Sequence, residues 1–236
     1  MIFLAALEFL TAIPLPRHRE ASPEEVERSI IYFPVVGLII GLILAGLDWL
    51  LELILPPSVA NGLLLVSLVV ITGALHLDGF IDTCDGIAGH KTVEERWQIM
   101  HDSRSGAFGI IGAVLLLLIK YVSLNSIPKD LLVPTLVLMP VVSRWAMVYA
   151  VFAYPYARPT GLGKIFKQGA SGKRFTIATV FTLVVGTGVA FWGLLHPGVL
   201  VIWVGVWILA AAMAAYFKRK FTGLTGDTYG AINEVA

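Results

Sequence analysis

Six apolar stretches, each long enough to cross about 30 Å of hydrocarbon at roughly 1.5 Å per residue, recur along these 236 residues and leave little chain for anything else. They lie near residues 30–54, 58–77, 107–126, 131–153, 175–195 and 198–217. Lipid offers no partner to an exposed peptide group, so such runs fold as helices. A membrane barrel would show weak alternating segments of about ten residues instead. With 57% hydrophobic and 14% charged residues and a mean hydropathy of +0.83, a soluble globular domain is excluded. The reading is an all-α, polytopic integral-membrane bundle of about six transmembrane helices, forming one domain over residues 1–236. Ile2 to Ile13 is apolar but short, interrupted by Glu8 and stopped by Pro14 and Pro16, which suits an interfacial or re-entrant helix. It lacks the basic leading region and cleavage site of a signal peptide.

The connections alternate in charge. Pro56-Pro57, Ser126 to Asp130 and His196-Pro197 are tight and carry Lys129 alone. The opposite side holds Arg17, Arg19, Arg28, Lys91, Arg96, Arg104, Arg158, Lys164, Lys167, Lys173, Arg174, Lys218, Arg219 and Lys220, most of the 17 basic residues. The positive-inside rule makes this the cytoplasmic face. Lys120 and Arg144 fall inside spans, where charge is costly. Lys120, late in its span, is expected to snorkel outward. Arg144 lies too deep for that, and either a buried acidic partner or an anion contact would account for it. Asp48 and Glu52 sit near the outer end of the first span, where water would solvate them. Gly37-x-x-x-Gly41 and Gly186-x-Gly188 read as helix-packing faces, which permit self-association into a homo-oligomer. The single cysteine, Cys84, rules out an internal disulfide.

Chemistry concentrates in His76-Leu-Asp78-Gly-Phe-Ile-Asp82-Thr-Cys-Asp85-Gly86, directly after the second apolar run. Offsets of i, i+4 and i+7 put the three carboxylates on one helix face. They repel unless a cation or basic ligand lies among them, and hard carboxylate oxygens suit Mg²⁺ or Mn²⁺. A solvated acidic face is the alternative. Other phosphate-type features share that side. Asp102-Ser103-Arg104-Ser-Gly106 offers hydroxyls, a guanidinium and free amides at a helix N-terminus, although Ser103 or Ser105 would also serve as an ordinary cap. Arg158-Pro-Thr160-Gly-Leu-Gly163-Lys164 has a similar mix, and Thr225-Gly-Asp227-Thr228 adds an acid and hydroxyls. His76 and His101 are candidate bases near the cluster. No serine or cysteine nucleophile has a convincing histidine partner, and no Cys/His metal spacing appears. Phosphoryl transfer fits this set.

Phe9-Leu-Thr-Ala-Ile-Pro14-Leu-Pro16-Arg17, Phe33-Pro34-x-x-Gly37, the aspartate block, Ile99-Met100-x-Asp102-Ser-Arg104-Ser-Gly106, Ser143-Arg144, Gly161-Leu-Gly163 and Thr225-Gly-Asp227-Thr-x-Gly230-Ala run in order over essentially the whole chain. Together they resemble the adenosylcobinamide-GDP ribazoletransferase family, also called cobalamin (5′-phosphate) synthase. The resemblance implies a Mg²⁺-dependent membrane transferase of vitamin B12 assembly, joining adenosylcobinamide-GDP to α-ribazole or its 5′-phosphate and releasing GMP. It implies that Asp78, Asp82 and Asp85 hold the metal, and that Arg104 and Arg144 neutralise phosphate, with Ser103, Asp102, Lys164 and Asp227 beside the substrate. Asp82, Asp78 or His76 would accept the proton of the attacking ribose hydroxyl. The family continues into another apolar helix after the Gly230-Ala-Ile-Asn-Glu234 segment, and Glu234 is expected to complete the acidic site. A CDP-alcohol phosphotransferase is the nearest alternative, but its Asp-Gly-x-x-Ala-Arg start is absent. A cation-coupled transporter would need broken mid-bilayer spans, and none stands out. No nucleic-acid partner is indicated.

Overall fold

The computed structural model describes residues 1–14, 20–192 and 198–236. The expectations for Arg17, Arg19 and the His196-Pro197 connection fall outside the described residues. The described chain is helical, without a β-strand, and one isolated parallel bridge joins Tyr156 to Leu224. Helices run in the order α1 (Ile2–Leu10), α2 (Pro23–Ser29), α3 (Phe33–Glu52), α4 (Pro57–Ile71), α5 (Leu75–Ile87), α6 (Val93–Ile99), α7 (Ala107–Ser126), α8 (Lys129–Ala153), α9 (Leu162–Gly169), α10 (Gly172–Trp192), α11 (Gly198–Phe221) and α12 (Gly226–Val235).

Among the described residues five stretches are long and apolar enough to cross a membrane: Pro23–Glu52, Ala107–Ser126, Lys129–Ala153, Gly172–Phe191 and Val201–Phe221. A sixth exists only if α4 and α5 are taken together. Helix α8 is the axis of the bundle, with 72% of its apolar window buried against 17% in α7. The α7 residues Ile110, Ile111, Val114, Leu118 and Val122 are all exposed, as a lipid-facing helix requires. Gly37 and Gly41 lie where a side chain would strike the α8 backbone at Pro140 and Val137, so the glycine pair is a packing face, as its spacing suggests.

The second apolar run departs from expectation. It is not one helix to residue 77 but breaks at Gly73 and Ala74, both left-handed (φ +59° and +56°), and α5 leaves α4 at 88°. The Asn61 side-chain amide donates to Asn125 (3.3 Å), and Lys129 pairs with Glu52 (3.0 Å), joining α4, α7, α3 and α8 at one end. At the other end the Ala12 amide donates to the Ile71 carbonyl (2.7 Å). Helix α4 therefore returns the chain to the basic end, and α5 turns across it, carrying the aspartates. Asp48 is buried, not solvated, because α3 packs along α8 over its length.

Candidate active site

Two cationic side chains fix α5 and its surroundings by capping exposed carbonyls. Arg96, itself buried, donates to the carbonyls of Gly86 (2.6 Å), Ile87 (2.8 Å) and Gly89 (3.1 Å), closing the α5 C-terminus. Lys167 donates to Val151 and Phe152 at the C-terminus of α8, both at 2.9 Å. Basic residues that read from sequence as topology markers thus also hold helix ends.

Helix α12 is set against α5 at glycine. A Cβ on Gly79 would come within 2.9 Å of the Asp227 Cα, so the two backbones touch where the aspartates are. Thr225 caps α12 reciprocally with Thr228, and the Thr225 hydroxyl also reaches the Asp227 carboxylate at 3.3 Å. The bridge that ties Tyr156 to Leu224 brings the following Arg158 beside Asp227, with 3.0 Å between Nη2 and Oδ2. Charges acting on Asp82 are those of Asp227, Asp78 and Asp85, opposed by Arg158 alone. Burial raises the Asp227 carboxyl above its ordinary range, and Arg158 only partly offsets this. His101 also acts on Asp227 through its charge. The centre is therefore Asp78, Asp82 and Asp227 facing Arg158; of these Asp78, Asp227 and Arg158 line a 250 Å³ pocket, together with His76, Thr160 and Tyr229. Both ring nitrogens of His76 are buried without a hydrogen-bond partner.

Asp85 does not join this centre. Its Oδ2 accepts the Gly106 amide at 2.7 Å and its Oδ1 the Gly109 amide at 2.8 Å, so it caps α7 from another helix. The N-terminus that reads as a phosphate site is already filled by this internal anion, and neither Ser103 nor Ser105 caps it. Among the described residues no three His, Cys, Asp or Glu side chains converge tightly enough to hold a metal as the structure stands. Arg104 is 87% exposed and grips Asp102 through Nε (3.0 Å) and Nη2 (2.8 Å); that hydrogen bonding lowers the Asp102 carboxyl to about 2. Ser103 is likewise exposed. Lys164 donates to the Pro159 carbonyl and holds the loop that bears Arg158.

Arg144 belongs elsewhere. It lines a 390 Å³ cavity with Lys120, Ser143 and Glu234, donates to the Ser143 hydroxyl (3.0 Å), and keeps Nε and Nη2 unpartnered. Lys120 pairs with Glu234 there and does not snorkel outward. Glu234 lies two turns below Asp227, about 10 Å along the helix, which explains why it does not complete the acidic site. Arg158 is the contributor that sequence reasoning undervalued. Its loop offered only a generic mix of residues, and the signal is the bridge to Leu224, a pairing across 68 positions that no local spacing records.

No solved structure matches the chain. A relative from Geotalea daltonii described as adenosylcobinamide-GDP ribazoletransferase is 42% identical, covering 99% of this chain and 92% of its own. One from Desulfitobacterium hafniense with the same description is 39% identical over 98% and 91%, and one from a Synechococcus strain is 39% identical over 98% and 90%. The family model described as cobalamin-5-phosphate synthase matches residues 2–236, and the chain belongs to that family.

Proposed function

We propose that this protein is an adenosylcobinamide-GDP ribazoletransferase that joins adenosylcobinamide-GDP to α-ribazole or its 5′-phosphate and releases GMP. We further propose that it requires Mg²⁺ and works in the cytoplasmic membrane with the site facing the cytoplasm. The observation that carries the chemistry is the α5–α12 contact at Gly79, which sets Asp227 against Asp78 and Asp82 with Arg158 alongside. Three carboxylates against one guanidinium leave an excess of hard, negative oxygen donors, which suits Mg²⁺. Asp78, Asp82 and Asp227 would hold it, replacing the expected set in which Asp85 was the third member. Bound there, the cation would polarise the diphosphate and steady the departing GMP.

The protein's own groups account for the rest. Arg158, oriented by Asp227, neutralises phosphate charge as it spreads in the transition state. The ribose 3′-hydroxyl attacks the phosphorus that bears the corrinoid side chain; the new P–O bond forms as the P–O bond to GMP breaks. His76, with no protein partner for its ring nitrogens, is the group available on the pocket wall to accept the hydroxyl proton. The concentration of Arg28, Arg96, Arg158, Lys164 and Lys167 at the site's end of the bundle supports the orientation. The test is GMP release by the purified protein in nanodiscs, given both substrates with and without Mg²⁺. Absence of release with the cation present rejects the proposal.

A further inference from the structure

Apart from its charged residues, the pocket lined by Asp78 and Asp227 is largely apolar. Its wall includes Phe33 and Phe166, both buried, with Phe9, Met147 and Val151. Phe166 is the hinge of an aromatic group, 4.7 Å from Phe9 and 5.2 Å from Phe33 between ring centroids. On another side Tyr156 stacks on Tyr229 at 6.2 Å. The Tyr229 hydroxyl is buried and has no hydrogen-bond partner, although the residue is only 3% exposed. A buried hydroxyl left in that state costs free energy unless a ligand satisfies it.

We infer that this aromatic pocket receives the fused-ring base of the ribazole substrate, with the Tyr229 hydroxyl donating to the base's unprotonated ring nitrogen, and that the guanine half of the other substrate lies outside it. The inference rests on the transfer reaction proposed above. Size supports it: 250 Å³ is below the range of about 300–1,000 Å³ that encloses whole drug-sized ligands, so the pocket has room for one bicyclic base and none for a corrin ring. Chemistry separates the two nucleosides. A dimethylbenzimidazole joined to ribose presents two aromatic faces, two methyl groups and a single acceptor nitrogen. Phenylalanine faces, apolar walls and one hydroxyl donor match that set. Guanine carries an N–H, an amino group and several acceptors on its edges, and among Phe9, Phe33, Met147, Val151 and Phe166 those would go unpaired. Position agrees as well, since Phe166 lines the same pocket as Asp78, Asp227 and Arg158.

The test measures both substrates separately in nanodiscs. For Tyr229→Phe and Phe166→Leu, the KM for α-ribazole should rise about tenfold, the loss of one base contact, while the KM for adenosylcobinamide-GDP stays within about twofold. A rise confined to adenosylcobinamide-GDP assigns the pocket to guanine and overturns the inference; so does no change in either constant. Equilibrium binding of α-ribazole alone keeps this result apart from the reaction itself. Wild-type protein should bind it and Phe166→Leu should bind it about tenfold more weakly, even if no GMP is ever released; failure of wild-type protein to bind it overturns the inference.

Discussion

Asp85 offers the sharpest test, because a metal ligand and a helix cap respond differently to the same change. Both its oxygens are buried and each accepts one α7 amide, at 2.7 and 2.8 Å. A hydrogen bond to a charged acceptor contributes about 1.5–3 kcal/mol, and the bonds are not fully additive, so Asp85→Ala should cost about 3–5 kcal/mol. Asp85→Asn keeps one acceptor oxygen but turns an amino group toward the other amide, and should cost about 2–3 kcal/mol. Unfolding in mixed micelles, followed by tryptophan fluorescence, measures this directly. In the fraction that remains folded, the Mg²⁺ concentration giving half-maximal GMP release should match wild type within about twofold, since the proposed ligands are untouched. A variant with wild-type stability and a Mg²⁺ midpoint shifted about tenfold or more would refute the capping argument and return Asp85 to the metal.

Other consequences follow from the same geometry. Asp227→Asn should leave the fold intact, because Thr225 and Thr228 still cap α12, yet reduce GMP release about a hundredfold or more; a milder loss removes Asp227 from the centre. Because burial raises the Asp227 carboxyl, the folded protein binds a proton there that the unfolded chain has already lost, so the metal-free protein should lose stability as pH rises through that window. Protons compete with the cation there, and the Mg²⁺ midpoint should weaken on acidification; a flat midpoint argues against a cation at Asp227. Lys120→Met or Glu234→Gln alone should each destabilise by about 2–3 kcal/mol by leaving a part-buried charge without this partner, whereas the double variant should recover most of that loss. A double-mutant cycle with no coupling would show that the pair does not contribute to stability.

Much of the site's inventory was legible in the chain, but its grouping was not. Asp78, Asp82 and Asp85 do share a helix, yet periodicity cannot say which of them a neighbouring helix will claim. Asp85 is taken by the α7 amides, and the apparent phosphate site at Gly106 is taken by Asp85, so two sequence signals cancel each other. Asp227 and Arg158 lie far from the block in sequence and reach it only through the Gly79 contact and the Tyr156–Leu224 bridge. The break at Gly73 and Ala74 was hidden inside an apolar run whose composition suits one continuous span. Lys120, Glu234 and Arg144 show the same limit, since hydropathy marks a buried charge as costly without naming its partner.

Alone, the sequence determined that this is a helical membrane protein with its acids and most of its bases toward one end, because lipid leaves an apolar chain few other ways to satisfy its backbone. Its ordered motifs also determined the family. Only the tertiary structure decided which carboxylates face one another, which one caps a helix, and where the aromatic pocket opens. Those outcomes depend on close approach between helices distant in sequence, and a local pattern carries no record of them.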